Sequence, residues 1–389
     1  MEEKKPRNKN FWKGFVLGIV ATALVAGGIH FWPSGMDEDS KMNALENLVE
    51  SQFLYADDVD EDNLLEGTYK GYISGLGDKY SVYYTPEEFA AFQDSTISGE
   101  FYGIGVVFTQ DMNTGQISVN NVYEDSPAEK AGISQGDILV KVNGEEVSGK
   151  DLNAVTSNIK GEEGTEVKLT FTKGENGEEY TKSVKREKIT VQTVTGKMMS
   201  DGIAYIKISE FTNETYNQFE EVFKKLEKQG MEGLVIDLRD NTGGVVTTTC
   251  EILDQLLPEG KIVYTKDKNG NVKEEDSDAE HYFDKPLALL VNGYTASASE
   301  IFTAAIQDYD LGSIVGTKTF GKGIVQQLFP LSDGSGVKLT VSEYFSPKDR
   351  EIHEKGIEPD VTVEDTRTSA EDTNDAQLQQ AIKEVQKDM

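Results

Sequence analysis

Two serines stand two positions apart in the stretch NGYTASASEIFTAAIQDYD, residues 292–310. The apolar run LALLV before them predicts a strand, and the periodic run after them predicts a helix. Ser297 and Glu300 have the spacing of a helix capping box, so a structural cap is one interpretation. A strand-to-helix turn also exposes a side chain beside backbone N–H groups and a helix dipole, which suits an acyl-transfer nucleophile. Spacing alone leaves Ser297 and Ser299 as alternative nucleophiles.

A serine nucleophile needs a base, and lysine is the realistic candidate in this sequence. The three histidines, His30, His281 and His353, are too scattered for a zinc site and stand in no recognisable triad context. Lys322 lies in TKTFGKGIVQ between two glycines and beside apolar residues. A free lysine has a pKa near ~10.4, so it must be desolvated or close to another cation to act as a base. A solvent-exposed turn lysine is the alternative.

A glycine pair follows the predicted strand EGLVIDLRD. The turn Asn241-Thr242-Gly243-Gly244 presents backbone amides with no side chains over them, and such amides can form half of an oxyanion hole. An ordinary turn between a strand and a helix is the alternative interpretation.

A second glycine motif precedes the predicted strand VVFTQ. Gly103, Ile104 and Gly105 could hold a peptide carboxylate on their amides while an extended peptide adds to the sheet edge. The motif lacks the G-x-G-x-x-G spacing of dinucleotide sites, and the sequence contains no P-loop.

The elements around these motifs change in character along the chain. Residues 35–98 have helical spacing. Residues 99–185 contain short strands, glycine turns and two helices, which together predict one small domain. Residues 186–365 alternate strands with helices, which predicts an α/β sheet core. Residues 366–389 form a polar tail that ends in a short helix.

The amino end has a different composition. Residues 1–13 form a basic tail, and residues 14–34 are apolar over a length that can cross a bilayer as one helix. Basic residues before this segment and acidic residues after it place the amino end in the cytoplasm. A signal peptide cleaved near residues 26–28 is the alternative, but the apolar run continues through Trp32 and favours an uncleaved anchor. We therefore expect a single-pass protein of the cell membrane whose body is extracytoplasmic.

Charge and cysteine content exclude other classes. The 389 residues include 69 acidic and 38 basic ones, and the net charge of −31 excludes a general affinity for nucleic acid. Cys250 is the single cysteine, so the chain has no intramolecular disulfide framework. Its helix-like surroundings indicate a small buried residue and not a nucleophile.

With these motifs the chain resembles the carboxy-terminal processing, or tail-specific, proteases, a family of PDZ-bearing Ser-Lys endopeptidases. The resemblance extends from about residue 43 to residue 382. It rests on TASASEI, TFGKGIVQ with GSGVKLTVSEYFSP, DLRDNTGG, KGIEPDV and SPAEKAGISQGDILVKVNG. It implies a mixed α/β fold with a PDZ domain at 99–185 and a Ser-Lys protease core at 186–365, behind the transmembrane helix and the helical segment.

The resemblance also implies roles for particular residues. Ser297 is the implied nucleophile, Lys322 the implied base, and Gln326 the residue that orients the lysine. We keep Glu300 as a support residue near the site. The reaction implied by this set needs no metal and no cofactor.

The implied oxyanion donors are the amides of Ala298 and of Gly243 or Gly244. DNTGG stands where the family more usually has Asn-Pro-Gly-Gly, which leaves open which glycine amide faces the oxyanion. In DKYS, residues 78–81, Lys79 replaces a proline that the family often has. We expect this second departure to concern the helical segment and to leave the dyad intact.

The implied partners are protein or peptide substrates with free carboxy-termini, which the PDZ domain captures through residues 103–105 and whose binding gates the active site. The helical segment could mediate homodimerisation, as the family's does. Two other functions remain as rivals. A non-catalytic PDZ scaffold would not need to retain Ser297, Lys322 and Gln326. A lipase or esterase would have a G-x-S-x-G elbow and a placed histidine, and the sequence has neither.

Overall fold

The computed structural model describes residues 38–389 apart from 112–113, 124, 175–176 and 368–373. Contacts divide the chain after Thr68 into two units. The basic tail and the transmembrane segment predicted at 1–13 and 14–34 lie outside the described residues. None of the helices in the described part is long and apolar enough to cross a membrane.

Helices occupy the first unit. They are α1 (Glu38–Gln52), a 3-10 turn (Ala56–Asp58) and α2 (Glu61–Ser74), within which the division falls. Large apolar side chains such as Leu45, Leu48 and Leu54 are exposed on this unit.

The second unit contains, after the end of α2, a strand that we did not expect in the segment predicted as helical. β1 (Val82–Tyr84) alternates intermediate, buried and intermediate side chains, and α3 (Pro86–Phe92) follows it. Thr85 and Glu88 form a capping box at the start of α3, since each side chain accepts the other residue's amide. A π-helical turn (Gln93–Ser98) then leads into the small β-rich domain.

An antiparallel sheet forms that small domain. Its strand order is β3-β4-β5-β7-β8 with β6 beside β5, so β3 lies at an edge. The strands are β3 (Val106–Gln110), β4 (Ile117–Val122), β5 (Asp137–Val142), β6 (Glu145–Glu146), β7 (Glu166–Lys173) and β8 (Glu179–Lys185). The helices are α4 (Pro127–Lys130) and α5 (Leu152–Ile159). Alternate residues of the strands, among them Ile117, Leu139 and Phe171, form the core. The chain enters this domain through β2 (Glu100–Gly103) and leaves it through β9 (Glu187–Thr190). These two strands pair with each other as an antiparallel ribbon.

A six-stranded sheet forms the centre of the larger domain, in the order β10-β11-β12-β15-β16-β19. Its strands are β10 (Val194–Met198), β11 (Ile203–Ile208), β12 (Gly233–Asp237), β15 (Leu287–Val291), β16 (Ser313–Gly316) and β19 (Val361–Thr362). All pairs are parallel except β10 with β11. Every residue of β12 and of β15 is buried, as expected for parallel strands covered on both faces.

Helices cover both faces of this sheet. Leu234, Leu289 and Ile314 belong to the core cluster that includes residues of α6 (Thr215–Lys228), α7 (Val246–Asp254) and α8 (Ala298–Asp308). Val235 and Leu290 point to the other face, where they share a cluster with residues of α9 (Ala376–Asp388). Cys250 on α7 is buried, as predicted, and burial raises the pKa of its thiol to about 12.

A second, antiparallel sheet has the order β1-β18-β13-β14, with β17 also beside β18. Its other strands are β13 (Gly260–Asp267), β14 (Val272–Ser277), β17 (Ile324–Pro330) and β18 (Gly336–Phe345). Tyr83 of β1 pairs with Val337 of β18, and Leu328 of β17 pairs with Lys338. Residues 82–84 therefore belong to the same sheet as β17, the strand that follows Lys322.

Candidate active site

Several of the predicted site residues line one cavity of about 440 Å³. They are Gly243, Gly244, Ser297, Lys322 and Gln326. Of the two histidines in the described part of the chain, neither lines this cavity. The cavity therefore brings the predicted serine and lysine together without a histidine from the described residues.

Ser297 occupies a strained turn between β15 and α8. It is the N-cap residue of α8, with φ 57° and ψ −120°. A positive φ costs a residue other than glycine about 1–3 kcal/mol and persists where the surrounding structure enforces it. In hydrolases, the same kind of turn exposes the nucleophile between a strand and a helix. Ser299 differs, because it is fully buried and its hydroxyl has no hydrogen-bond partner among the described residues.

The Glu300 carboxylate joins the serine turn to the lysine turn. It is fully buried, and its Oε2 accepts the amides of Ser297 at 3.0 Å and of Lys322 at 2.7 Å. Its Oε1 accepts the Gly321 amide at 2.7 Å and the Thr319 hydroxyl at 2.6 Å. Burial raises the pKa of Glu300, and these four hydrogen bonds oppose that rise. Glu300, predicted as a support residue, thus fixes both backbone segments of the pair.

A tyrosine joins the same two residues on their carbonyl side. The hydroxyl of Tyr344 lies 2.9 Å from the Ser297 carbonyl oxygen and 2.8 Å from that of Lys322. Burial raises the pKa of this hydroxyl well above its usual range, so it stays protonated and donates. Its single proton is shared between the two carbonyl oxygens.

The surroundings of Lys322 favour its neutral form. Burial lowers its pKa, and the positive charge of Lys338 lowers it further, against the opposing charges of Asp78 and Glu300. A cation–π contact acts against this shift, since the Lys322 Nζ lies 4.9 Å from the ring centroid of Tyr80. A lysine with a lowered pKa can accept a proton at a pH where an exposed lysine is protonated.

Gln326 lies on β17, four residues after Lys322 in the sequence. Its Nε2 is 3.4 Å from Oγ1 of Thr340 on β18, and that hydroxyl donates to Oδ2 of Asp78 at 2.6 Å. Asp78 belongs to DKYS, the segment in which Lys79 replaces a proline and which we expected to concern the helical region. The pairing of β1 with β18 also brings residues 78–81 to the sheet that contains β17.

The glycine turn lies directly against the serine. A Cβ on Gly243 would stand 2.9 Å from both Ser297 Cβ and the Ala298 amide nitrogen. The Gly243 amide donates to Oδ1 of Asn241 at 2.8 Å, so this donor is already used inside the turn. Of the two glycine amides left open by the sequence, that of Gly244 is the better candidate to accompany the Ala298 amide.

Other residues of the cavity carried no signal in their local sequence. Tyr80, Glu210, Lys338 and Tyr344 all line it. Glu210 is half-buried, burial raises its pKa, and its side chain forms no hydrogen bond or salt bridge with described residues. Aromatic residues such as Tyr344 in a strand pattern indicate packing, so only the contacts of the folded chain identify them as site residues.

The predicted carboxylate loop of the small domain is held by its carbonyl groups. The Ile104 carbonyl accepts the Ala128 amide at 2.9 Å, and the Gly105 carbonyl accepts the Tyr123 amide at 3.0 Å. Gly103 pairs with Glu187 at the end of β2, and the Ile104 side chain is buried in the domain core. The loop leads into β3, whose outer edge is the edge of the sheet.

Comparison with known proteins gives the chain its relatives. Residues 202–363 match the model of peptidase family S41, and residues 118–173 match a PDZ domain model. The carboxy-terminal processing protease CtpA of Bacillus subtilis (strain 168) is 36% identical over 367 residues, which cover 92% of this chain and 78% of that protein. CtpB of the same strain is 34% identical over 334 residues, which cover 84% and 68%. A solved structure of a photosystem II D1 C-terminal processing protease is 30% identical, with a TM-score of 0.48 over 77% of this chain and 81% of that one.

Proposed function

This chain belongs to peptidase family S41, the serine-type carboxy-terminal processing peptidases, and we propose that it cleaves proteins with a Ser297–Lys322 dyad. The family resemblance and the mixed α/β fold with a PDZ domain and a protease core are thereby confirmed. The observation that carries the proposal of the dyad is the single cavity shared by a strained Ser297 and a Lys322 whose pKa is lowered.

In the proposed reaction Ser297 Oγ attacks the carbonyl carbon of the scissile peptide bond. Neutral Lys322 Nζ takes the hydroxyl proton and then gives it to the leaving amine, so that an acyl-enzyme remains on Ser297. Water, deprotonated by the same Nζ, then hydrolyses the ester. Gln326 orients the lysine, and Glu300 together with Tyr344 holds the backbone of both residues in place.

Two amides would stabilise the negative oxygen of the tetrahedral intermediate. We assign these to Ala298, the first residue of α8, and to Gly244. Ala298 follows Ser297 directly, Gly244 lines the same cavity as Ser297, and the dipole of α8 has its positive end at this position.

The PDZ domain would select the substrates. A free carboxy-terminal tail would add to the open edge of β3 and place its carboxylate on the amides of residues 103–105. The Gly105 carbonyl accepts the Tyr123 amide. Burial raises the pKa of Tyr123, and the charge of Glu210, which lines the catalytic cavity, raises it further. Tyr123 thus contacts the proposed tail-binding loop and also senses a charge in the catalytic cavity.

We further propose that residues 14–34 anchor the enzyme in the cell membrane, with its catalytic part outside the cytoplasm. The apolar length of this segment and the basic residues before it support the orientation. Cell fractionation, followed by protease treatment of intact cells, should find the chain in membranes and degrade its body. A chain recovered in the soluble fraction would contradict the anchor.

We propose a homodimer formed by the helical first unit. Its exposed Leu45, Leu48 and Leu54 support this, because large apolar side chains on helices commonly cover a partner. Sedimentation should give twice the mass of the chain for wild type and the mass of one chain for Leu48→Glu. A monomer in wild type would reject the dimer.

The proposed dyad is tested with the full chain in detergent and an unfolded protein substrate. Wild type should cleave the substrate, and Ser297→Ala and Lys322→Ala should not. Ser299→Ala is the matched control and should retain activity, because it removes a buried hydroxyl, two residues from the nucleophile, that has no partner in the part of the chain that the structure describes. Cleavage by Ser297→Ala would reject the proposal. Turnover of acyl esters without peptide cleavage would favour an esterase, and the absence of any turnover in wild type would favour a scaffold.

A further inference from the structure

The carboxylate of Asp78 is the end of a hydrogen-bonded chain that reaches the catalytic cavity. Its Oδ2 accepts the hydroxyls of Ser81 and Thr340, both at 2.6 Å, and its Oδ1 accepts the Tyr80 amide at 3.0 Å. Partial burial acts to raise the pKa of Asp78, but these hydrogen bonds outweigh it and lower the pKa below its usual value. Asp78 is therefore ionised at neutral pH and can only accept hydrogen bonds.

An ionised Asp78 determines the direction of the next hydrogen bond. A threonine hydroxyl has one proton, and the proton of Thr340 is committed to Asp78. The contact of 3.4 Å between Thr340 Oγ1 and the Gln326 carboxamide must then have Gln326 as the donor. The NH2 group of Gln326 faces Thr340 for this reason, and its carbonyl oxygen Oε1 faces away from Thr340.

The orientation of this carboxamide matters for a lysine base. Neutral Lys322 has two N–H groups and one lone pair, and it needs that lone pair for the proton of Ser297. A carbonyl oxygen of Gln326 that faces the lysine would accept one of its N–H groups and leave the lone pair free. A carboxamide turned by 180° would instead donate to the lone pair and suppress the base.

We propose that Asp78 is a positioning residue for the peptidase reaction, acting through the Thr340 hydroxyl to fix the Gln326 carboxamide with its oxygen towards Lys322. This inference rests on the proposed function, since it assumes that Lys322 is the base. It assigns a role to the segment DKYS, which stands 262 residues before Thr340 in the sequence and reaches it through the pairing of β1 with β18.

Two variants break the hydrogen-bond series Asp78–Thr340–Gln326 at different members. Asp78→Ala frees the Thr340 proton, so the hydroxyl can donate to Gln326 Oε1 and turn the carboxamide. Thr340→Val removes the hydroxyl and keeps the carboxylate. Both should lower kcat by about ten- to a hundredfold, the size of effect that misplaced catalytic groups produce, with KM within about twofold of wild type. Thr340→Ser keeps the hydroxyl and should restore kcat.

The pH profile separates positioning from a general structural effect. The charges that face Lys322 are those of Lys338, which lowers its pKa, and of Asp78 and Glu300, which raise it. Asp78→Ala removes one of the raising charges, so the acid limb of kcat/KM should move to lower pH. Thr340→Val keeps that charge, so its limb should stay at the wild-type position while its plateau falls.

A matched control shows whether the loss of any carboxylate–hydroxyl hydrogen bond would have the same effect as the loss of the one between Asp78 and Thr340. Asp333 accepts the hydroxyl of Ser335 at 2.7 Å just before β18 and does not line the cavity. Asp333→Ala should keep the wild-type kcat. In the double variant of Asp78 and Thr340 the losses should not add, because both substitutions break one chain.

The outcomes separate two failures. If Ser297→Ala and Lys322→Ala are inactive while Asp78→Ala and Thr340→Val keep kcat within about twofold of wild type, the positioning role is rejected and the dyad stands. If Asp78→Ala alone loses kcat, the route through Thr340 is rejected. If Lys322→Ala is active, the proposed function itself fails. Should Asp78→Ala fold poorly, as thermal unfolding would show, the comparison of Thr340→Val with Thr340→Ser still decides.

Discussion

Ser297 and Lys322 donate their backbone amides to the same oxygen of Glu300, at 3.0 and 2.7 Å. Their carbonyl oxygens also lie within 2.9 Å of the same Tyr344 hydroxyl. The turn that carries the nucleophile and the turn that carries the base are therefore joined to each other on both sides of their backbones. A displacement of one turn moves the other with it, which preserves the geometry that a proton transfer requires.

Glu300→Gln tests this junction. Oε2 accepts two amides and Oε1 accepts one amide and a hydroxyl, so either orientation of a glutamine places its NH2 group against a donor. Leaving buried donors without partners should lower the free energy of unfolding by about 2–4 kcal/mol and the activity by at least about a hundredfold. Chemical denaturation and the cleavage rate measure the two effects. Wild-type activity in this variant would show that the junction is not needed.

Lys338→Met tests the electrostatics of the base. Burial lowers the pKa of Lys322, the charge of Lys338 lowers it further, and Asp78 and Glu300 act against both. Activity requires the neutral amine, so it should rise with pH through the Lys322 pKa. Removing Lys338 raises that pKa, and the acid limb of kcat/KM should move to higher pH. A limb that stays in place would show that Lys338 does not act on the base.

Gly243→Ala tests the contact between the glycine turn and the nucleophile. Gly243 has φ +101°, and an added Cβ would stand 2.7 Å from the Ala296 carbonyl oxygen and 2.9 Å from Ser297 Cβ. We expect kcat to fall by at least about a hundredfold, because the serine or the oxyanion donors must move. Gly270→Ala, at an exposed turn with φ +82° and an open surrounding, is the control for backbone strain and should remain active.

A substrate with an amidated tail tests the role of the PDZ domain. If the amides of residues 103–105 bind the terminal carboxylate, amidation removes the charge and should raise KM for the intact substrate. For a short peptide that does not reach the PDZ domain, the rate of hydrolysis should be the same with a free and with an amidated carboxy-terminus. Equal KM values for free and amidated substrates would contradict recognition of the carboxy-terminus.

The local sequence indicated two candidate nucleophiles, Ser297 and Ser299, because a strand, a turn and a helix adjoin there, and the family resemblance selected Ser297. Lys322 could be predicted because flanking glycines and apolar residues indicate a desolvated turn. The same pattern suggested Glu300 through its spacing from Ser297. Asp78, Thr340 and Tyr344 could not be found in this way, since their contacts depend on strand pairing between distant segments.

The choice between the two glycine amides shows a second limit. The motif places Gly243 and Gly244 together, but the bond of the Gly243 amide to Asn241 exists only in the folded turn. Residues 78–81 show the same limit, because their neighbours in the sequence are helical and indicate no pairing with a distant strand. The pairing of Tyr83 with Val337 overrides that local indication.

Covalent labelling of Ser297 tests the dyad most directly. A fluorophosphonate reacts with an activated serine, and intact mass followed by peptide mapping locates the label. In wild type the label should appear on Ser297, at a rate that rises with pH through the lowered pKa of Lys322. Lys322→Met should react slowly, without that titration. Labelling of another residue, or labelling of Ser297 in Lys322→Met at the wild-type rate, would contradict a Ser297–Lys322 dyad.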